Sequence, residues 1–236
     1  ALHFDVDILW IGARTTVNPF SVQEVADALK GVDVPVLIKN PINPDLELWL
    51  GAVERVAKAG VQDIGLIHRG FSSYGNTEYR NAPMWHLAIE MKRRNPEMLL
   101  INDPSHICGR RDILLDVTQK AINLDFDGIM VESHINPDEA WSDAKQQITP
   151  EQFGAMLSAI EWRKEDINSD DFHAALEKFR QQINHIDDEL MQLIGQRMKI
   201  AKQIGQYKKD NNITILQTNR WNEILERAYQ RGVVLG

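Results

Sequence analysis

A chain of 236 residues, 43% hydrophobic and 25% charged, has enough apolar material for one large or two smaller packed domains. Its net charge of -8 argues against a nucleic-acid-binding surface, which is usually basic, but leaves room for a locally basic pocket that takes small anions. The single cysteine, Cys108, excludes an internal disulfide and fits a cytoplasmic setting; no apolar run approaches the ~18 residues that span a bilayer, and the opening residues lack a basic signal-peptide start.

Residues 1–162 alternate short apolar runs with helical patterns. The runs are Val6–Ile11, Pro35–Lys39, Asp63–Ile67, Met98–Ile101 and Gly128–Val131. Near-continuous branched residues over so few positions predict parallel strands buried on both faces. Between them, Ser21 with Glu24 suggests a capping box, and Leu46–Lys58 and Trp85–Arg94 have helical periodicity. The fold class is therefore α/β with right-handed crossovers. A closed (β/α)8 barrel needs eight strands, and five are legible here, so either the sheet is open or three strands precede Ala1. The second reading is preferred, and it predicts five parallel strands in an arc whose first strand has an unpartnered edge.

The character changes after Trp162. Arg163–Asp171 has no apolar period and reads as a linker. From residue 172, Leu176, Phe179, Ile183, Ile186, Leu190, Leu193, Ile200, Ile204 and Tyr207 form one apolar stripe of about nine turns. Asn211-Asn212 breaks it, and a second helix is expected from about Leu216 to Arg231, with Gly232 as its cap. Two helices leave the long stripe uncovered, so this all-α part needs a partner chain, more sequence or the first domain against it.

The chemistry lies at the strand ends. The five runs lead into Gly12-Ala13-Arg14-Thr15-Thr16, Lys39-Asn40, His68-Arg69-Gly70, Asp103-Pro104-Ser105-His106 and Glu132-Ser133-His134. The carboxyl edge of a parallel sheet is where active sites sit. Arg14, Lys39 and Arg69 would converge on one mouth, where an anionic phosphate or carboxylate offsets their desolvation. His106, Glu132 and Asp143 combine one imidazole with two carboxylates, a set suited to Mn2+, Fe2+, Co2+ or Zn2+. Singly, each has a plainer reading as a salt-bridge partner or cap. Solvated charges would have no reason to favour one edge of the sheet at all five strands.

Taken in order, and with Trp141-Ser142-Asp143-Ala144, these motifs resemble the 3-deoxy-7-phosphoheptulonate synthases over about residues 1–155. The resemblance implies the last five units of a (β/α)8 barrel. It also implies a reaction of phosphoenolpyruvate with erythrose 4-phosphate. Arg14, Lys39 and Arg69 would hold phosphoenolpyruvate, Lys39 and His106 would take part in catalysis, and His106, Glu132 and Asp143 would supply three of four metal ligands. The family's metal-binding cysteine and its Lys-Pro-Arg-Thr motif have no counterpart in these residues; Cys108 lies two residues after the histidine, in the wrong motif.

In the helical part, Arg197 interrupts the stripe, and Lys208, eleven residues on, lies about 20° around the helix and about 16 Å along it. Mid-stripe cations are costly without an anion, although snorkelling or an interhelical salt bridge would also satisfy them. Leu176–Arg227 resembles the all-helical chorismate mutases through Phe179-Arg180-Gln181-Gln182-Ile183, Ile186-Asp187, Leu190, Arg197, Ile204-Gly205 and Lys208. That likeness implies rearrangement of chorismate to prephenate without a cofactor, with Arg180, Arg197 and Lys208 binding substrate and the last two catalytic. Related mutases carry an acid directly after an arginine of the second helix. Here Trp221 follows Arg220, leaving Gln217 and Glu223 as that helix's polar candidates, and a third helix has no counterpart in this sequence. The expected assembly is a homodimer through the mutase helices. The alternative is a ligand-sensing or dimerising helical module without catalysis. A pure interaction scaffold would leave the charged strand ends unexplained.

Overall fold

The computed structural model describes residues 2–4, 6–75, 78–163 and 169–235. The chain falls into two compact units, Ala1–Glu165 and Asp166–Gly236.

In the first unit, strands alternate with helices. In chain order they are β1 (Leu9–Ile11), α1 (Ala13–Thr16), α2 (Pro19–Ala28), β2 (Val36–Lys39), α3 (Leu46–Lys58), β3 (Ile64–His68), α4 (Trp85–Arg94), β4 (Leu100–Asn102), α5 (Pro104–Cys108), α6 (Leu114–Asn123), β5 (Gly128–Ile129) and α7 (Pro150–Ala159). The strands form one parallel sheet in the order β1-β2-β3-β4-β5, with registers such as Ile38↔Leu66↔Leu100. Neither edge strand has a second strand partner among the described residues, which agrees with the open arc expected from the sequence.

Alternation along the strands sorts the two faces. Val36, Ile38, Leu66 and Leu100 pack against Trp49, Val53, Val56, Met91 and Ala121 of the helices. The opposite face carries Trp10, 60% exposed, and Leu99, 58% exposed. A parallel sheet buries both faces, and this second face is the one that lines the interior when eight strands close into a barrel.

Several local expectations need correction. The helix thought to begin at Ser21 starts at Pro19, because Asn18 accepts from the N–H groups of Phe20 and Ser21 and proline is preorganised for the first turn. The capping box lies instead at Thr149 and Gln152, ahead of α7. The first strand is shorter than Val6–Ile11, and the last pairs over Gly128–Ile129 alone, although the Met130 N–H still reaches the Asn102 carbonyl.

His68 ends β3 fully buried among Phe71, Trp85 and Phe126, where its Nε2 meets the Pro83 carbonyl at 2.7 Å. Burial lowers its pKa from 6.5 to about 4, against the opposing pull of the Pro83 bond. The unfolded chain therefore takes up this proton first. The stability His68 contributes is full above pH 6.5 and drains away as the pH falls towards 4, a loss of about 3 kcal/mol. Denaturant unfolding of the chain followed from pH 7 to pH 4 should show this decline, and His68→Phe should flatten it within that window. An equally steep decline in the variant would assign the acid sensitivity to other groups.

The second unit consists of α8 (Asp170–Asp210) and α9 (Thr218–Leu235). Ser169 caps α8 by accepting from the Phe172 N–H, and acids in its first turn and lysines in its last suit the helix dipole. Of the expected linker, residues 164–168 lie outside the described residues, while Asp170 and Asp171 are already helical. Asn211, with Asn212 at φ 55°, ends α8 as expected. Gly232 does not terminate α9, which continues to Leu235. The apolar stripe, including Leu190, Leu193, Ile200 and Ile204, is exposed along α8.

Candidate functional site

At the carboxyl edge of the sheet, the carboxylate of Asp103 joins the two sets of residues singled out in the sequence. Lys39 Nζ, at the end of β2, donates to Asp103 Oδ2 at 2.7 Å, and both residues are buried. His106, in the first turns of α5, places Nδ1 2.9 Å from the same oxygen, and its backbone N–H donates to Asp103 Oδ1. Burial works to raise the Asp103 pKa, but the hydrogen bond from His106 and the charges of His106 and Lys39 prevail and hold it below the ordinary value. A carboxylate can only accept, so His106 donates through Nδ1, and Nε2 is the ring nitrogen turned away from Asp103. Nε2 lies 3.8 Å from Glu132 Oε1.

One ligand atom from each of His106, Glu132 and Asp143 lies within 4.8 Å of the others. An imidazole held through its second nitrogen by a carboxylate, facing two further carboxylates, is a donor set that fits a borderline divalent cation. Glu132 is placed by its backbone N–H donating to Ser105 Oγ. Asp143 takes a left-handed backbone, φ 51°, and its carboxylate meets Arg80 at 2.6 Å, which holds it below the usual carboxylate range.

The remaining cations sit beside this cluster. Arg69 donates to Asn81 Oδ1, and Asn81 Nδ2 donates to the His106 carbonyl. The Arg69 backbone N–H is taken by Asn40 Oδ1. Burial lowers the Arg69 pKa; Asp103 opposes this, while the charges of Arg80 and Arg14 add to it, so the three guanidinium groups feel one another. Arg14 projects exposed from α1, and among the described residues neither it nor Arg69 has a carboxylate within ion-pair distance. Two of the three cations of the predicted trio thus retain charge for an anion, while Lys39 is neutralised internally by Asp103.

In the second unit, a groove of about 750 Å³ lies between α8, α9 and the turn joining them, within the usual size range of small-molecule sites. Arg197, Lys208, Gln217, Arg220 and Trp221 line it, with Leu193, Ile200, Ile204 and Ile224 as apolar walls. Lys208 Nζ donates to the Ile215 carbonyl at 2.8 Å and so ties the turn to α8. Glu223 does not line this groove but pairs with Arg220 at 2.8 Å. Arg180 lies outside it as well, seventeen residues before Arg197 on the same helix.

Residues 4–169 match the family model described as the DAHP synthetase I family. The chain belongs to the DAHP synthetase I family. Residues 179–235 match a second model, chorismate mutase type II, so the two modules are fused in one chain. A phospho-2-dehydro-3-deoxyheptonate aldolase from Thermotoga maritima is 30% identical over 154 residues, 65% of this chain and 44% of that protein. The chain therefore spans under half the length of that relative. A bifunctional chorismate mutase/prephenate dehydratase from Aquifex aeolicus is 38% identical over 52 residues, 22% of this chain and 14% of that protein. Among solved structures, a truncated form of 3-deoxy-D-arabino-heptulosonate 7-phosphate synthase from Thermotoga maritima superposes with a TM-score of 0.57 at 30% identity, covering 65% of this chain and 56% of that one.

Within this DAHP synthetase I unit, sequence reasoning missed Asp103, Arg80 and Asn81. Asp103 stood in a quoted motif as a plain strand-end acid, and its bridging of a lysine and a histidine appears only when β2 and β4 are brought to the same edge by β3 between them.

Proposed function

We propose that the first unit condenses phosphoenolpyruvate with erythrose 4-phosphate to 3-deoxy-D-arabino-heptulosonate 7-phosphate, and that the second rearranges chorismate to prephenate, in the cytoplasm as part of aromatic amino-acid biosynthesis. The observation carrying the first part is the meeting, at one sheet edge, of uncompensated guanidinium groups with the His106, Glu132 and Asp143 cluster. Arg14, Arg69 and Lys39 bind the phosphate and carboxylate of phosphoenolpyruvate, and stabilise the charge that shifts onto phosphate as it leaves. His106, Glu132 and Asp143 hold a divalent ion, Mn2+, Fe2+, Co2+ or Zn2+, which supplies Lewis acidity to the aldehyde oxygen of the sugar phosphate. The enol carbon attacks the aldehyde carbon, water adds at the neighbouring carbon, and phosphate is released. Lys39 approaches this chemistry with its charge already set by Asp103, so an arriving phosphate competes with a buried carboxylate for the same ammonium.

The groove carries the second part. Arg197 and Lys208 select the compact conformer of a dicarboxylate and stabilise the oxygen that gains charge, which needs no cofactor. Gln217 supplies a neutral polar contact at the same groove. Arg180 completes the site from the partner of a homodimer formed along the exposed stripe of α8. Trp221, lining the groove where related mutases carry an acid, supports a second reading in which the groove senses a ligand without converting it. Prephenate formation from chorismate decides between the two.

Lys39→Ala tests the synthase assignment. Losing a charge-assisted contact raises KM for phosphoenolpyruvate about 10–100-fold. The melting temperature of the first unit should also fall, because Asp103 is left buried without its partner. Mutase turnover stays unchanged. A folded variant with the wild-type KM would remove Lys39 from the phosphoenolpyruvate site.

A further inference from the structure

Glu132 and Asp143 come from separate segments, yet they face His106 together. A buried amide joins them. Arg80 Nη1 donates to Asp143 Oδ1 and to Gln146 Oε1, each at 2.6 Å, and Gln146 Nε2 donates to Glu132 Oε2 at 2.6 Å. Gln146 is 1% exposed. Its partners fix the orientation of the amide, since a guanidinium can only donate and a carboxylate only accept. Glu132 is thereby held through one oxygen while the other, Oε1, faces His106 Nε2.

The bridge is anchored at both ends. The Gln146 N–H donates to the Asp143 carbonyl, and the Ile148 N–H to that of Glu132, so the backbone around Gln146 is tied to both acids. Arg80 is held by its N–H on the Cys108 carbonyl and by the neighbouring Asn81 N–H on that of Ile107. Gly109, at φ 66°, lets the Arg80 side chain lie across the end of α5: a Cβ there would stand 2.5 Å from Arg80 Cβ.

We infer that Gln146 is a positioning residue of the metal centre, fixing Glu132 directly and Asp143 through the shared guanidinium of Arg80. Neither would be a ligand itself; by holding Glu132 Oε2 and Asp143 Oδ1 they would orient the two carboxylates toward an ion. The inference rests on the metal-binding reading of His106, Glu132 and Asp143. It differs from that reading in what it predicts, because groups behind metal ligands tune affinity and geometry where a ligand itself decides whether the metal binds.

Mn2+ titration of the full chain by calorimetry, with the visible absorption of the Co2+ form, tests it. The wild type should bind the ion and His106→Ala should not. Gln146→Met, which keeps length and removes both hydrogen bonds, should weaken Mn2+ binding about 10–100-fold and alter the Co2+ absorption. Arg80→Lys keeps the charge but loses the fork that grips two oxygens, and it lies on the half-exposed side of the bridge, where folding is less at risk. It should shift both readouts in the same direction. Wild-type affinity and an unchanged Co2+ spectrum in these variants, with binding lost in His106→Ala, would make Gln146 a filler of the core and leave the metal centre standing. Failure of the wild type to bind Mn2+ or Co2+ would overturn the metal reading and this inference with it.

Discussion

His106→Ala should abolish the proposed synthase reaction and strip the chain of the divalent metal proposed for this cluster. Of the three proposed ligands, His106 is the only imidazole, and the geometry leaves its Nε2 for that role by engaging Nδ1 with Asp103. Alanine removes the imidazole and would leave Glu132 and Asp143, tied back by Gln146 and Arg80, to meet the ion alone. Charge stabilisation by a bound metal contributes several kcal/mol to a transition state, so a loss of at least about a hundredfold in turnover is expected. Metal per chain, measured by elemental analysis after dialysis, should fall in parallel. Mutase turnover should hold, because every residue lining the groove belongs to the second unit. Metal content equal to wild type would exclude His106 as a ligand, whatever happened to activity.

Asp103 also gives this variant a stability signature. Its carboxylate loses the His106 side-chain contact but keeps the backbone N–H of residue 106 and the Lys39 ammonium, so the strand end stays paired. Lys39→Ala takes away the lysine that pairs with that carboxylate and should be the less stable of the two. The contrast separates a residue that serves the ion from one that also holds the fold.

The sheet was legible in the sequence because buried parallel strands leave runs such as Val36–Ile38 and Leu66–Ile67 with nothing polar to confuse the period. The bounds of α3 and α4 also match their apolar spacing. The α2 start was misread because Ser21 and Glu24 imitate a capping box, while Asn18 and Pro19 make a stronger one-turn start. Helix α7 carries the same signal at Thr149-Pro150-Glu151-Gln152, and there the box forms, with Pro150 preorganising the first turn. Of the site, the strand-end cations, His106 and Glu132 could be read because position after a strand is a local property, whereas Asp143 lies well past β5 in the loop before α7. The bridges could not: Lys39 to Asp103 spans 64 positions and Arg80 to Gln146 spans 66, and no local pattern encodes a contact that only the sheet order creates.

Mixing an Arg180→Ala chain with an Arg197→Ala chain should restore mutase activity that neither variant has alone. The two arginines lie on one continuous helix, α8, about 25 Å apart and rotated by about 100°, and chorismate is too small to touch both from that helix. The groove confirms the separation, since Arg197 lines it with Lys208 and Arg180 does not. If all three cations serve one substrate, Arg180 must reach the groove from another chain. The exposed stripe of Leu190, Leu193, Ile200 and Ile204 gives two α8 helices an apolar surface on which to pair. A twofold pairing then builds two equal sites, each with Arg197 and Lys208 from one protomer and Arg180 from its partner. In a mixed dimer, one site collects both substitutions and the other collects neither. Random exchange makes half of the dimers mixed, each with one intact site of two, so about a quarter of wild-type activity should return. Subunit exchange, followed by energy transfer between labelled chains, must accompany the assay. Exchange without recovery would place Arg180 outside the mutase site, as a surface residue of α8.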